Sequence, residues 1–128
     1  MSQPFLDIEL TNQGTTACHL RGYVSLTAVG HPLHGPSRRV EIALHRGPFY
    51  ERSDPGPRRV DLQPGHSASF GVGTVTAWQG GKHLMDIIRL TITPPGGRTP
   101  IPLHVELPAS APAGKPIPVA VTAVEAAS

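Results

Sequence analysis

The sequence predicts an all-β protein, a two-sheet β-sandwich of about eight mostly antiparallel strands. Three observations carry that expectation. Short apolar runs alternate with polar residues at period two; Gly (14) and Pro (15) are abundant and fall between those runs; and no segment holds a helical period long enough to cross between parallel strands. With 128 residues the chain suits one domain, 1–128, rather than two with separate cores.

The elements follow in order. Leu6, Ile8 and Leu10 alternate with Asp7, Glu9 and Thr11, the pattern of a half-buried strand, which ends at the turn-forming Asn12-Gln13-Gly14. Ala17 to Arg21 and Tyr23 to Val29 read as strand on either side of Gly22, a bulge or bend. A loop with two Pro, two Gly and two His spans 30–38, and Val40, Ile42 and Leu44 are in phase after it. Residues 46–59 form a long, irregular, basic and mobile loop. Val60 to Leu62 leads through Gln63-Pro64-Gly65, a type II turn, into Ser67 to Val72 with Ala68, Phe70 and Val72 inward. Gly71 and Gly73 weaken that strand or mark a bulge before Thr74 to Trp78. Ile87 to Thr93 should place Ile88, Leu90 and Ile92 in the core, and the Pro-flanked runs Leu103 to Leu107 and Ile117 to Val124 are expected at sheet edges, because proline cannot donate to a ladder.

Composition sets bounds on function. The net charge of +2 supports only weak, salt-sensitive attraction to anions, so nucleic acid is not expected as a partner. No apolar stretch approaches the roughly 20 residues needed to span a bilayer, and the opening residues lack the basic and apolar regions of a secretory signal. Cys18 stands alone, so no internal disulfide is expected.

With these segments laid out, four stretches in order resemble a family: Leu10-Thr11-Asn12-Gln13-Gly14, Cys18-His19-Leu20-Arg21-Gly22-Tyr23, Leu62-Gln63-Pro64-Gly65-His66-Ser67-Ala68 and Leu90-Thr91-Ile92-Thr93-Pro94-Pro95-Gly96. Together they are similar to an actinobacterial family of immunoglobulin-like sandwich domains, mostly secreted or envelope-anchored and without assigned activity. The resemblance implies an extracellular or envelope location, an immunoglobulin-like fold and no catalytic residues. Two departures stand out: Val24 replaces the proline that follows the glycine-tyrosine pair, and the later cysteines are absent. A chain without those bridges also fits a cytoplasmic or assembly-associated life, which stays open.

No catalytic chemistry is expected. Seven histidines include one close pair, His31 and His34, and Pro32 between them rules out helical presentation to a metal; neither a metal site nor a cofactor is expected. Cys18 is expected as a small buried hydrophobe facing away from His19. Serines lack an elbow motif, and carboxylates are unpaired in sequence. The informative set is basic: Arg38, Arg39, Arg46, Arg52, Arg58 and Arg59, with Phe49 and Tyr50 among them. If their loops emerge at one end of the sandwich, they form a basic patch with aromatic anchors for a protein partner or an anionic glycan. The plainer account, arginines that keep a Pro-rich loop solvated, stays open beside it. Two roles are expected: a non-catalytic binding module of the bacterial envelope acting through loops at one end, or a structural subunit cementing a larger assembly or oligomer.

Overall fold

The computed structural model describes residues 4–32, 34–49, 52–74, 82–97, 99–112 and 114–127. Strands dominate: β1 (Phe5–Thr11), β2 (Cys18–Arg21), β3 (Ser25–Pro32), β4 (Arg38–Val40), β5 (Ile42–Arg46), β6 (Arg59–Leu62), β7 (Ser67–Gly73), β8 (Lys82–Thr93), β9 (Ile101–Pro112), β10 (Ile117–Val121) and β11 (Glu125–Ala126). One sheet has the order β1-β7-β10-β5 with β11 also on β7, a second has the order β4-β3-β8-β9, and β2 and β6 make a separate ladder. The pairings are antiparallel apart from β10 on β5. The chain is all-β, and no described helix is long and apolar enough to cross a membrane.

A single apolar cluster joins the inward faces. Ile8, Phe70, Val72, Val119 and Val121 come from the first sheet, Ala28, Ile87, Leu90, Ile92 and Leu107 from the second, and Val60 and Leu62 from the small ladder. Each large side chain so buried contributes roughly 1.5–3 kcal/mol. Alternation in β1, β3 and β7 puts the predicted apolar residues inward. Asn12 ends β1 as an Asx turn, its Oδ1 accepting the Gly14 N–H at 2.9 Å while Nδ2 donates to Thr16 and Leu62 carbonyls. Gly65, at φ 84°, makes the predicted turn with His66 N–H on Gln63 O at 3.0 Å.

Four expectations are corrected. Val40 to His45 is broken at Glu41: Val40 pairs with β3 in one sheet and Ile42 with β10 in the other, so one residue hands the chain between sheets. In β8 a register shift between Ile87 and Arg89 moves Ile87 into the core and leaves Ile88 half-buried. β9 lies at an edge, but β10 lies between β7 and β5, and among the described residues its pairs with β7 are Ala120 with Gly73 and Val121 with Val72. Cys18 is exposed at the first position of β2, although its register partner Leu62 is buried. The expected strand at Thr74 to Trp78 lies outside the described residues beyond Thr74, which is itself not strand.

Between β10 and β11 the chain bulges away from β7, and the fold saturates the backbone groups this frees. Thr122, fully buried, takes the Gly71 N–H on its Oγ1 at 2.8 Å while its own N–H donates to Gly71 O at 3.0 Å. Val124 N–H reaches the carbonyl of Gly22 at 2.8 Å, at the bend where Gly22 takes φ 94°. Thr122→Val keeps the shape and removes the acceptor, leaving a buried N–H unsatisfied. We expect a loss of about 1–3 kcal/mol in urea unfolding; an unchanged midpoint would contradict this role of the hydroxyl.

Candidate functional site

The basic segment after β5 is irregular, as its composition predicts, yet it is a strap tied to the first sheet. Gly47 N–H donates to Val121 O at 3.0 Å, and Phe49 and Arg52 exchange two backbone hydrogen bonds of 3.1 and 2.8 Å. Tyr50, between them, lies outside the described residues. The Phe49 ring and the Arg52 stem rest on the outward face of β7, where Gly71 and Gly73 present bare backbone. A Cβ on Gly73 would stand 2.7 Å from Phe49 Cδ2, and one on Gly71 would stand 3.0 Å from Phe49 Cζ and 3.1 Å from Arg52 Nε. These glycines serve close approach rather than a bulge. Asp7 is in register with Gly71, so the Arg52 guanidinium meets it there and also lies 3.7 Å from Glu125.

The return of the strap is held by Asp54. Its carboxylate accepts from the Tyr23 hydroxyl at 2.5 Å, the Ala123 N–H at 3.0 Å and the Gly56 N–H at 3.1 Å. Burial alone would push the Asp54 carboxyl up, but the three donors outweigh it and hold the group below its ordinary value. The hydrogen bond to Asp54, helped by desolvation and the negative charge, raises the Tyr23 phenol, with Arg46 acting against them. The Arg46 guanidinium carbon sits 5.6 Å from the centre of the Tyr23 ring, a cation–π contact.

The predicted basic residues therefore divide. Arg46 ends β5 and lies over Tyr23, Phe49 and Arg52 belong to the strap, and Arg52 is occupied by acidic partners. Arg58 and Arg59 are exposed where the strap enters β6. Arg38 and Arg39 are not with them, because they pair with Gly30 and Val29 toward the other end of β3. From Ser25 to Gly30 that is roughly 16 Å at about 3.3 Å per residue. One patch at one end is replaced by two basic areas.

Sequence reasoning missed Arg21. In the β2–β6 ladder it stands directly opposite Arg59, and the next pair on the same face is His19 opposite Asp61. All four are exposed, while Val60 on the reverse face is buried. Arg59 Nε donates to Asp61 Oδ1 at 2.8 Å, whereas Arg21 and Arg58 form no ion pair among the described residues. Like charges directly opposite in a ladder are unfavourable. The only hint in the sequence is the shared apolar phase of Leu20 and of Val60 with Leu62, which leaves Arg21 and Arg59 both outward but does not pair them.

This arrangement presents exposed guanidinium donors on one face of the ladder. The Tyr23–Asp54 bond is tied into backbone, and no group of three or more His, Cys, Asp or Glu among the described residues is placed to hold a metal. No curated protein and no solved structure matches the chain. A family model described as a domain of unknown function, DUF4232, matches residues 1–125, and the chain belongs to that family.

Proposed function

We propose that this chain is a non-catalytic binding module of the actinobacterial cell envelope that takes an anionic partner, an acidic glycan or acidic protein surface, on the strip formed by Arg21, Arg58 and Arg59 beside Arg46. The observation that carries the reading is the Arg21–Arg59 pair, two exposed guanidinium groups directly opposite in a short ladder. Arg59 also holds Asp61 through Nε at 2.8 Å, which leaves its other guanidinium N–H groups and those of Arg21 to an anion that bridges the pair. Tyr23, two residues beyond Arg21, is tied through its hydroxyl to Asp54, which also takes the Ala123 N–H, so the chain beside the strip is braced. The envelope location rests on the four ordered motifs of the sequence.

Heparin, a polysulfated glycan, is a suitable probe at low salt. The double variant Arg21→Ser/Arg59→Ser should bind it about tenfold more weakly, ~1.4 kcal/mol, with unfolding stability equal to or above that of the parent. Arg38→Ser/Arg39→Ser should change binding less than about twofold, well under 1 kcal/mol. Equal effects of the two pairs would reduce the attraction to net charge and sink the strip.

A second reading, a structural subunit of a larger assembly, draws support from Phe5, Ile101 and Leu103, which are 51%, 42% and 37% exposed. Light scattering at rising concentration tests it: a monomer throughout the micromolar range speaks against self-assembly.

A further inference from the structure

At the end of the sandwich away from Tyr23, the turn before β10 stands beside the start of β4 and leaves a groove of about 250 Å³ between them. Its floor is apolar: Val40, Ala111 and Ile117 are buried core residues, and Met85 lies half-buried against them. Its rim carries Arg38 and Lys115, both exposed and neither in an ion pair with a described residue. Glu41 also lines the groove, so the three charged side chains sum to +1, and the Glu41 carbonyl is already used by Ile117 N–H at 2.9 Å.

In β3, a Cβ on Gly30 would stand 2.7 Å from Met85 Sδ and 3.1 Å from Val40 Cγ1. Without that carbon the Met85 and Val40 side chains, which line the groove, lie close over the strand backbone. The register shift between Val29 and Gly30 occurs at the same point.

We infer that this groove is a binding site for a compact apolar carboxylate, the apolar part on the Met85–Val40 floor and the carboxylate between Arg38 and Lys115. Apolar walls with few convergent polar groups are the usual make-up of a small-ligand site, and a guanidinium matches a carboxylate bidentately. The chemistry is shared by a free branched-chain acid and by the C-terminal residue of a peptide. The site is separate from the arginine strip and stands or falls without it.

The test is an amide NMR titration of the whole chain with N-acetyl-leucine, with N-acetyl-leucinamide as its uncharged twin and a short peptide ending in leucine as a third arm. Saturable shifts are expected at Val40, Glu41, Ala111, Lys115 and Ile117, with the amide at least tenfold weaker. Tighter binding of the peptide assigns the site to chain ends, and tighter binding of the acid assigns it to free acids. Arg38→Ser/Lys115→Ser should retain the folded spectrum and lose the preference for carboxylate over amide. Absence of saturable shifts at these residues, or equal binding of acid and amide, overturns the inference.

Discussion

Asp54→Ala is expected to lower unfolding stability by about 2–3 kcal/mol, because it leaves the N–H of the buried Ala123 without an acceptor and frees that of Gly56. The carboxylate fastens three segments distant in sequence: the end of the strap, the bend at Tyr23 and the bulge before β11. Asp54→Asn retains an acceptor oxygen but no charge, so it should fall between parent and alanine variant. The direction with pH follows from the shifts. Asp54 is held below its ordinary 3.8, so its contribution is complete above roughly pH 4 and is lost as pH falls through the folded value. The Tyr23 phenol is held above its ordinary 10.0, so its contribution is complete below about pH 10 and is lost as pH rises through the folded value. Urea midpoints between about pH 2 and 7 should show a shallower acid limb in Asp54→Asn than in the parent. Identical acid limbs would remove Asp54 from the account of acid stability.

Gly73→Ala should cost about 1–3 kcal/mol, the usual penalty for forcing a methyl into filled space. The new carbon would fall 2.7 and 2.8 Å from Phe49 ring atoms, closer than carbon atoms approach without displacement, and β7 beneath it is fixed by β1 and β10. The ring must yield, and the strap with it. Two readouts separate this from general damage. In a Phe49→Ala background the added methyl has room, so the cost of Gly73→Ala should nearly vanish, giving a coupling of about 1 kcal/mol or more. Limited trypsin digestion should also cut faster after Arg46, Arg52 and Arg58 in Gly73→Ala than in the parent. If the two substitutions prove additive, Phe49 does not rest on β7 as described.

These two experiments concern features that the sequence exposed unequally. Leu6, Ile8 and Leu10 or Ala68, Phe70 and Val72 could be placed inward from spacing alone, since a strand turns successive side chains to opposite faces wherever it sits. Turn chemistry was equally local: Asn12-Gln13-Gly14 and Pro64-Gly65 form the turns their residues favour. The glycines of β7 were visible but not their purpose, because Phe49 arrives from more than twenty positions earlier in the chain. Nothing local singles out Asp54, because its three donors come from three segments. Of the basic residues, sequence proximity grouped Arg38 and Arg39 with Arg58 and Arg59, whereas strand pairing separates them and brings Arg21 opposite Arg59 instead.

The sequence by itself determined an all-β chain, most of its strands and turns, and a basic segment worth attention, because period-two alternation and Pro-Gly punctuation act over a few residues. Only the tertiary structure decided which strands pair, where β8 shifts register to bury Ile87, that Cys18 remains exposed, and how the strap lies on Gly71 and Gly73. Those outcomes depend on partners tens of residues away, and no local pattern encodes the registers that bring them together.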